Sequence, residues 1–96
     1  DREDFIYSFI SSANTELWLS IYELSDDKII SLLNKKALLG IKIYLIVDED
    51  NLLYLKGKLS SAINLYYGNE GDGRYSYNVL MRDKKQLVFF SDAFPL

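Results

Sequence analysis

The sequence contains no cysteine and no histidine. Without cysteine there is neither a disulfide framework nor thiolate chemistry. Without histidine the chain lacks the commonest general base, the commonest metal ligand and any His-dependent nucleophile. No apolar run approaches the roughly 18 residues of a membrane-spanning helix, and the opening residues are not expected to be a signal peptide. Clustered positive charge is also missing. The formal net charge is -3, and the pairs Lys35-Lys36 and Lys84-Lys85 are too short for a nucleic-acid patch, so solvated charge is their expected role. Internal repeats and low-complexity segments are absent as well.

What is present suits one small core. At 96 residues with 49% hydrophobic content, the chain is expected to fold as a single domain over residues 1–96 without disulfides or metal. The first residue is Asp1 rather than methionine, from which an excised or processed piece of a longer chain is expected.

The organising stretch is Ala37 to Asp48. It reads as the last turn of a helix, a glycine stop at Gly40, and a nearly continuous apolar strand ending in the acids Asp48-Glu49-Asp50. Only Lys42 interrupts the apolar run. That pattern predicts the central strand of an α/β sheet, covered on both faces. Upstream, Phe5, Ile6, Phe9, Ile10 and Ala13 recur at helical spacing, predicting a helix from Asp1 to about Ala13. Glu16 to Tyr22 alternates as a strand, and Ser25 is the expected N-cap of the next helix, whose stripe is Ile29, Ile30, Leu32, Leu33 and Ala37. Strand, helix, strand with short joints makes a βαβ unit, which implies parallel strands. Downstream the expectations are a short helix within Asn51 to Lys58, a strand from Ile63 to Tyr67 and a glycine-rich loop from Gly68 to Gly73. An antiparallel hairpin, Tyr75 to Arg82 and Gln86 to Ser91, turns through Arg82-Asp83-Lys84-Lys85.

This order resembles one half of the phospholipase D fold, and more closely the phospholipase D-like part of the TrmB family, archaeal sugar-responsive transcriptional regulators. The residues that carry the resemblance are the N-terminal amphipathic helix, the strand Glu16 to Tyr22, the segment Lys36 to Val47 and the hairpin ending in Val88-Phe89-Phe90. The resemblance implies a mixed sheet of about five strands flanked by helices, a cytoplasmic regulator, a homodimer, and DNA binding through a helix-turn-helix outside this sequence. It also implies a sugar-type effector.

Phospholipase D-type enzymes carry His-x-Lys-x4-Asp in this hairpin. Here the three positions read Ser76, Asn78 and Asp83. An unassisted serine is a poor nucleophile, and asparagine offers no charge to a phosphate. The resemblance therefore implies a relative with no catalytic residues, whose vestigial motif face at Ser76, Asn78 and Asp83 is free to pair two copies with Asn78 near the axis. The plain alternative is that Ser76 and Asn78 are solvent-facing hairpin residues.

Tyr22, Glu23, Asp48, Glu49 and Asp50 should gather at the carboxyl ends of two parallel strands, where open α/β sheets bind ligands. Carboxylates beside tyrosines suit sugar hydroxyls, and the ligand-binding set is taken as Tyr22, Glu23, Asp48 and Asp50. No cofactor and no metal is assigned. Two other readings of this edge stay open: helix caps and solvated charge, or oxygen ligands for Mg²⁺ in a small enzyme or receiver-like domain. A degenerate half of a larger nuclease is a further alternative. The aromatics Tyr44, Tyr66, Tyr67, Tyr75, Tyr77, Phe89 and Phe90 are expected mostly in the core.

Overall fold

A computed structural model describes residues 2–68 and 78–90. Helix α1 (Arg2–Ser11) buries Ile6, Phe9 and Ile10 and stops short of Ala13. Strand β1 (Glu16–Ser20) leads to helix α2 (Asp27–Leu38). The cap of α2 is Asp26 rather than Ser25: the Asp26 carboxylate accepts the Lys28 N–H at 2.8 Å. Asp26 has the β-region backbone an N-cap needs, and its acid also suits the positive end of the helix.

The expected glycine stop is built as a Schellman motif. Gly40 has φ +92°, the Gly40 N–H reaches the Ala37 carbonyl at 3.0 Å, and the Ile41 N–H reaches the Lys36 carbonyl at 3.1 Å. Strand β2 (Lys42–Asp48) follows at once. A 3-10 turn (Glu49–Asn51) and the short helix α3 (Leu52–Leu55) lead to strand β3 (Asn64–Gly68). Strands β4 (Asn78–Arg82) and β5 (Gln86–Phe90) form the hairpin. The expected loop beyond Gly68 and the strand residues Tyr75 to Tyr77 lie outside the described residues, as does Ser91.

The five strands form one mixed sheet in the order β3-β2-β1-β4-β5. β1 and β2 are parallel, as the βαβ pattern requires, and β3 extends the parallel half. β4 joins the other side of β1 antiparallel. The fold is therefore the expected α/β domain, with one correction: the middle strand is β1, and β2 is its interior neighbour.

A second correction concerns coverage. Ile43, Leu45 and Val47 are buried, whereas Tyr44, Ile46 and Asp48 are only half-buried. Strand β1 repeats the pattern, with Leu17 and Leu19 buried and Trp18 exposed. The helices supply Ile6, Ile10, Ile30, Leu33 and Leu55 to a core built on the same sheet face as Leu17, Leu19, Ile43, Leu45 and Leu80. The opposite face carries no helix among the described residues. Tyr44 and Ile46 are apolar but stand on that open side, so an unbroken apolar run gave the look of a strand buried twice. Several aromatics expected in the core are instead exposed, among them Tyr66, Tyr67 and Phe89, while Phe90 packs against the core edge. Tyr75 and Tyr77 lie outside the described residues.

Candidate functional site

The carboxyl ends of β1 and β2 do meet, and a recess of about 270 Å³ opens there. Tyr22, Glu23, Asp48 and Asp50 all line it, joined by Asn51 and Tyr54. The four expected residues are thus brought together, while Glu49 stands outside as an exposed residue. Small-molecule sites usually run from about 300 Å³ upward, so this recess lies just under their lower bound.

Each wall has a structural reason to be where it is. The Asp48 carboxylate accepts the Asp50 N–H at 3.1 Å and caps the 3-10 turn. Asn51, itself buried, clasps the β1–α2 connection from both sides. Its Oδ1 accepts the Leu24 N–H at 2.7 Å and its Nδ2 donates to the Leu24 carbonyl at 3.1 Å. The Tyr54 hydroxyl donates to the Ser25 carbonyl at 3.0 Å. The capping reading of Asp48 therefore holds, and it leaves the second carboxylate oxygen of Asp48 outside that bond. Asn51 and Tyr54 were missed by sequence reasoning. A polar residue directly after three acids looks like loop, and nothing local reveals that it spans to Leu24.

The edge does not gather as a metal centre: among the described residues no three acidic side chains converge as cation ligands. A larger groove, about 770 Å³, lies along α1 and α2 beside Glu3, Tyr7, Asp26, Asp27 and Lys35. Its polar residues are mostly exposed helix-start acids and lysines, which serve the helix dipoles and solvation.

The hairpin positions separate. Ser76 lies outside the described residues. Asn78 is fully buried, on the same sheet face as Leu80, and its Oδ1 accepts the Tyr22 N–H at 3.1 Å. It is neither solvent-facing nor available at a symmetry axis, and both expectations are corrected on that ground. The β4 side chains that stand on the open face are Val79 and Met81.

Asp83 sits in the hairpin turn, where Asp83 and Lys84 take φ +55° and +59° and the Lys85 N–H closes on the Arg82 carbonyl. Its carboxylate accepts the N–H groups of Asn14, Thr15 and Glu16 and the Thr15 hydroxyl, all between 2.7 and 3.1 Å. Its own N–H donates to the Glu16 carbonyl at 2.8 Å. Desolvation works to raise the carboxyl pKa, and the N–H groups of Thr15, Glu16 and Asn14 with the Thr15 hydroxyl outweigh it, leaving a value of about 2. The acid at the motif's last position is thus engaged in holding the start of β1.

No protein-family model matches this chain, and no curated protein matches it.

Proposed function

We propose that this domain is the non-catalytic effector-sensing and dimerisation module of a TrmB-like transcription regulator working in the cytoplasm, with DNA contacted by a separate helix-turn-helix. The observation that carries the reading is the bond from the Tyr22 N–H to Asn78 Oδ1. It ties the hairpin strand that resembles the phospholipase D motif to the loop that forms the strand-end recess. The position that would offer a lysine to a phosphate instead positions a recess wall. With Asp83 engaged by backbone donors, neither of these two positions is left to handle a phosphodiester.

The recess favours a polyhydroxylated ligand. Glu23, Asp48 and Asp50 offer carboxylate acceptors, and Tyr22 and Tyr54 offer ring faces and hydroxyls. A sugar bound only to the folded state raises the melting temperature, by roughly 2.7 kcal/mol of stability at a hundredfold excess over Kd. In a thermal-shift series over mono- and disaccharides, one sugar class should give a saturating rise that Glu23→Gln removes. The same protein should leave a generic phosphodiester intact. A flat response to every sugar would remove the effector reading, and phosphodiester turnover would remove the non-catalytic one. A saturating rise with Mg²⁺ that is lost in Asp48→Asn would favour the Mg²⁺-dependent alternative instead.

A further inference from the structure

The recess does not explain the sheet face that no helix covers among the described residues. Trp18 stacks on Tyr44 at a centroid distance of 4.0 Å and an interplanar angle of 13°. Beside them stand Ile46, Val79 and Met81, half-buried, with Leu87 and Phe89 65% and 58% exposed. Few charges interrupt this surface. Lys42 lies at its lower end beside Glu16 of β1, whose carboxylate accepts the Trp18 indole N–H, and Asp48 lies at its upper end, all on this side.

The strand register gives the face an internal symmetry. Trp18, Tyr44, Met81 and Leu87 share one level, and Ser20, Ile46, Val79 and Phe89 share another, with the buried-side residues Leu19, Leu45 and Leu80 level between them. A two-fold axis crossing the strands at the Leu45 level exchanges these two rows. It sets Trp18 over the partner's Ser20, Tyr44 over the partner's Ile46, and Leu87 over the partner's Phe89, so that in the first two pairs a bulky ring meets a smaller side chain. The same rotation brings Lys42 over the partner's Asp48, twice. A two-fold axis along the strands instead stacks like end on like end and forms no Lys42–Asp48 pair.

We infer that this open face is a two-fold interface between copies of this chain, with β2 crossing the partner's β2 antiparallel and Lys42 meeting the partner's Asp48. The inference rests on the dimerisation part of the proposed function and moves the contact from the vestigial motif to the open face. Two twisted sheets pack face to face about 10 Å apart with strand directions within about 30°, which suits this arrangement. Five strands about 4.8 Å apart, each about 17–23 Å long, give a flat footprint of roughly 400–550 Å² per copy. That is smaller than the ~800 Å² per partner of a standard interface, which puts the dimer among the small, weak interfaces.

Sedimentation equilibrium of the 96-residue chain across about 5–500 µM, a range wide enough for a small, weak interface, reads the association directly. Lys42→Glu or Asp48→Lys alone places like charges opposite each other twice and should weaken association about three- to tenfold. The double swap Lys42→Glu/Asp48→Lys should return it to within about twofold of the original, as expected of a direct pair. Since Asp48 also caps a turn, a second variant avoids the recess: Leu87→Lys, at an exposed position, should abolish the dimer while leaving the far-UV spectrum unchanged. A dimer insensitive to Leu87→Lys and to the single charge changes would overturn this face and leave the dimerisation reading intact. A monomer throughout the range would overturn both.

Discussion

Replacing Asp83 with asparagine isolates one charge in the clasp between the hairpin turn and β1. Asparagine tolerates the left-handed backbone at φ +55°, so the turn itself is kept. It also retains one acceptor oxygen for the N–H groups of Thr15 and Glu16. What is lost is the negative charge that those donors favour. The carboxyl falls from 3.8 to about 2 on folding. At about 1.36 kcal/mol per pKa unit, that difference corresponds to an upper figure of about 2.5 kcal/mol. The group is partly open to solvent, so screening reduces the expected loss at pH 7 to about 1–2 kcal/mol. The sign of the pH dependence follows from the depressed pKa. The wild-type contribution is complete above the unfolded value of 3.8 and disappears as pH falls through about 2. Asparagine does not titrate, so the stability gap between the two proteins should close across that window. Urea unfolding curves at pH 7, 5, 4, 3 and 2.5 test this, with a gap that is full at pH 5 and shrinking below 4. Equal midpoints at pH 7 would refute the clasp, as would a gap at pH 2.5 as large as the one at pH 7.

Two further changes probe how the recess and β2 are positioned. Asn51→Leu removes both bonds to Leu24 and leaves a buried N–H and C=O without those partners. It should cost about 2–4 kcal/mol in urea unfolding, and a loss below about 0.5 kcal/mol would mean that Leu24 is held by something else. Gly40→Ala should cost about 1–2 kcal/mol through backbone strain alone, because a Cβ at that position meets no atom within 4 Å; an unchanged melting temperature would contradict the left-handed cap.

Legibility in the sequence followed the range of the physics. Gly40 was readable because a helix cap is made by neighbours, and the parallel pairing of β1 and β2 followed from the short joints around α2. The positions of Tyr22, Glu23, Asp48 and Asp50 were readable for the same reason, since parallel neighbours bring their carboxyl ends together. The order of the sheet was not, because β4 chooses its place beside β1 by pairing across the length of the chain. The open face was hidden by composition: Tyr44 and Ile46 are apolar whether a helix covers them or not. Asn78 and Asn51 look like surface residues, yet both are buried where a backbone group needs a partner. Asp83 is plain in the sequence as a turn acid, but its donors at Asn14, Thr15 and Glu16 lie 67–69 residues away.

The placement of β1 between β2 and β4 also sets the order in which this chain can fold. Its pairing with β2 closes over a single helix, whereas its pairing with β4 must close a loop that takes in nearly all of the intervening chain. The hairpin of β4 and β5 can zip locally, but it has no docking edge until β1 is in place. Loop closure of this length slows folding, so the rate-limiting event should be the arrival of the finished hairpin at β1. During synthesis, the parallel half leaves the ribosome first with the β4-facing side of β1 unpaired. That edge stays open until the last residues of β4 have been made.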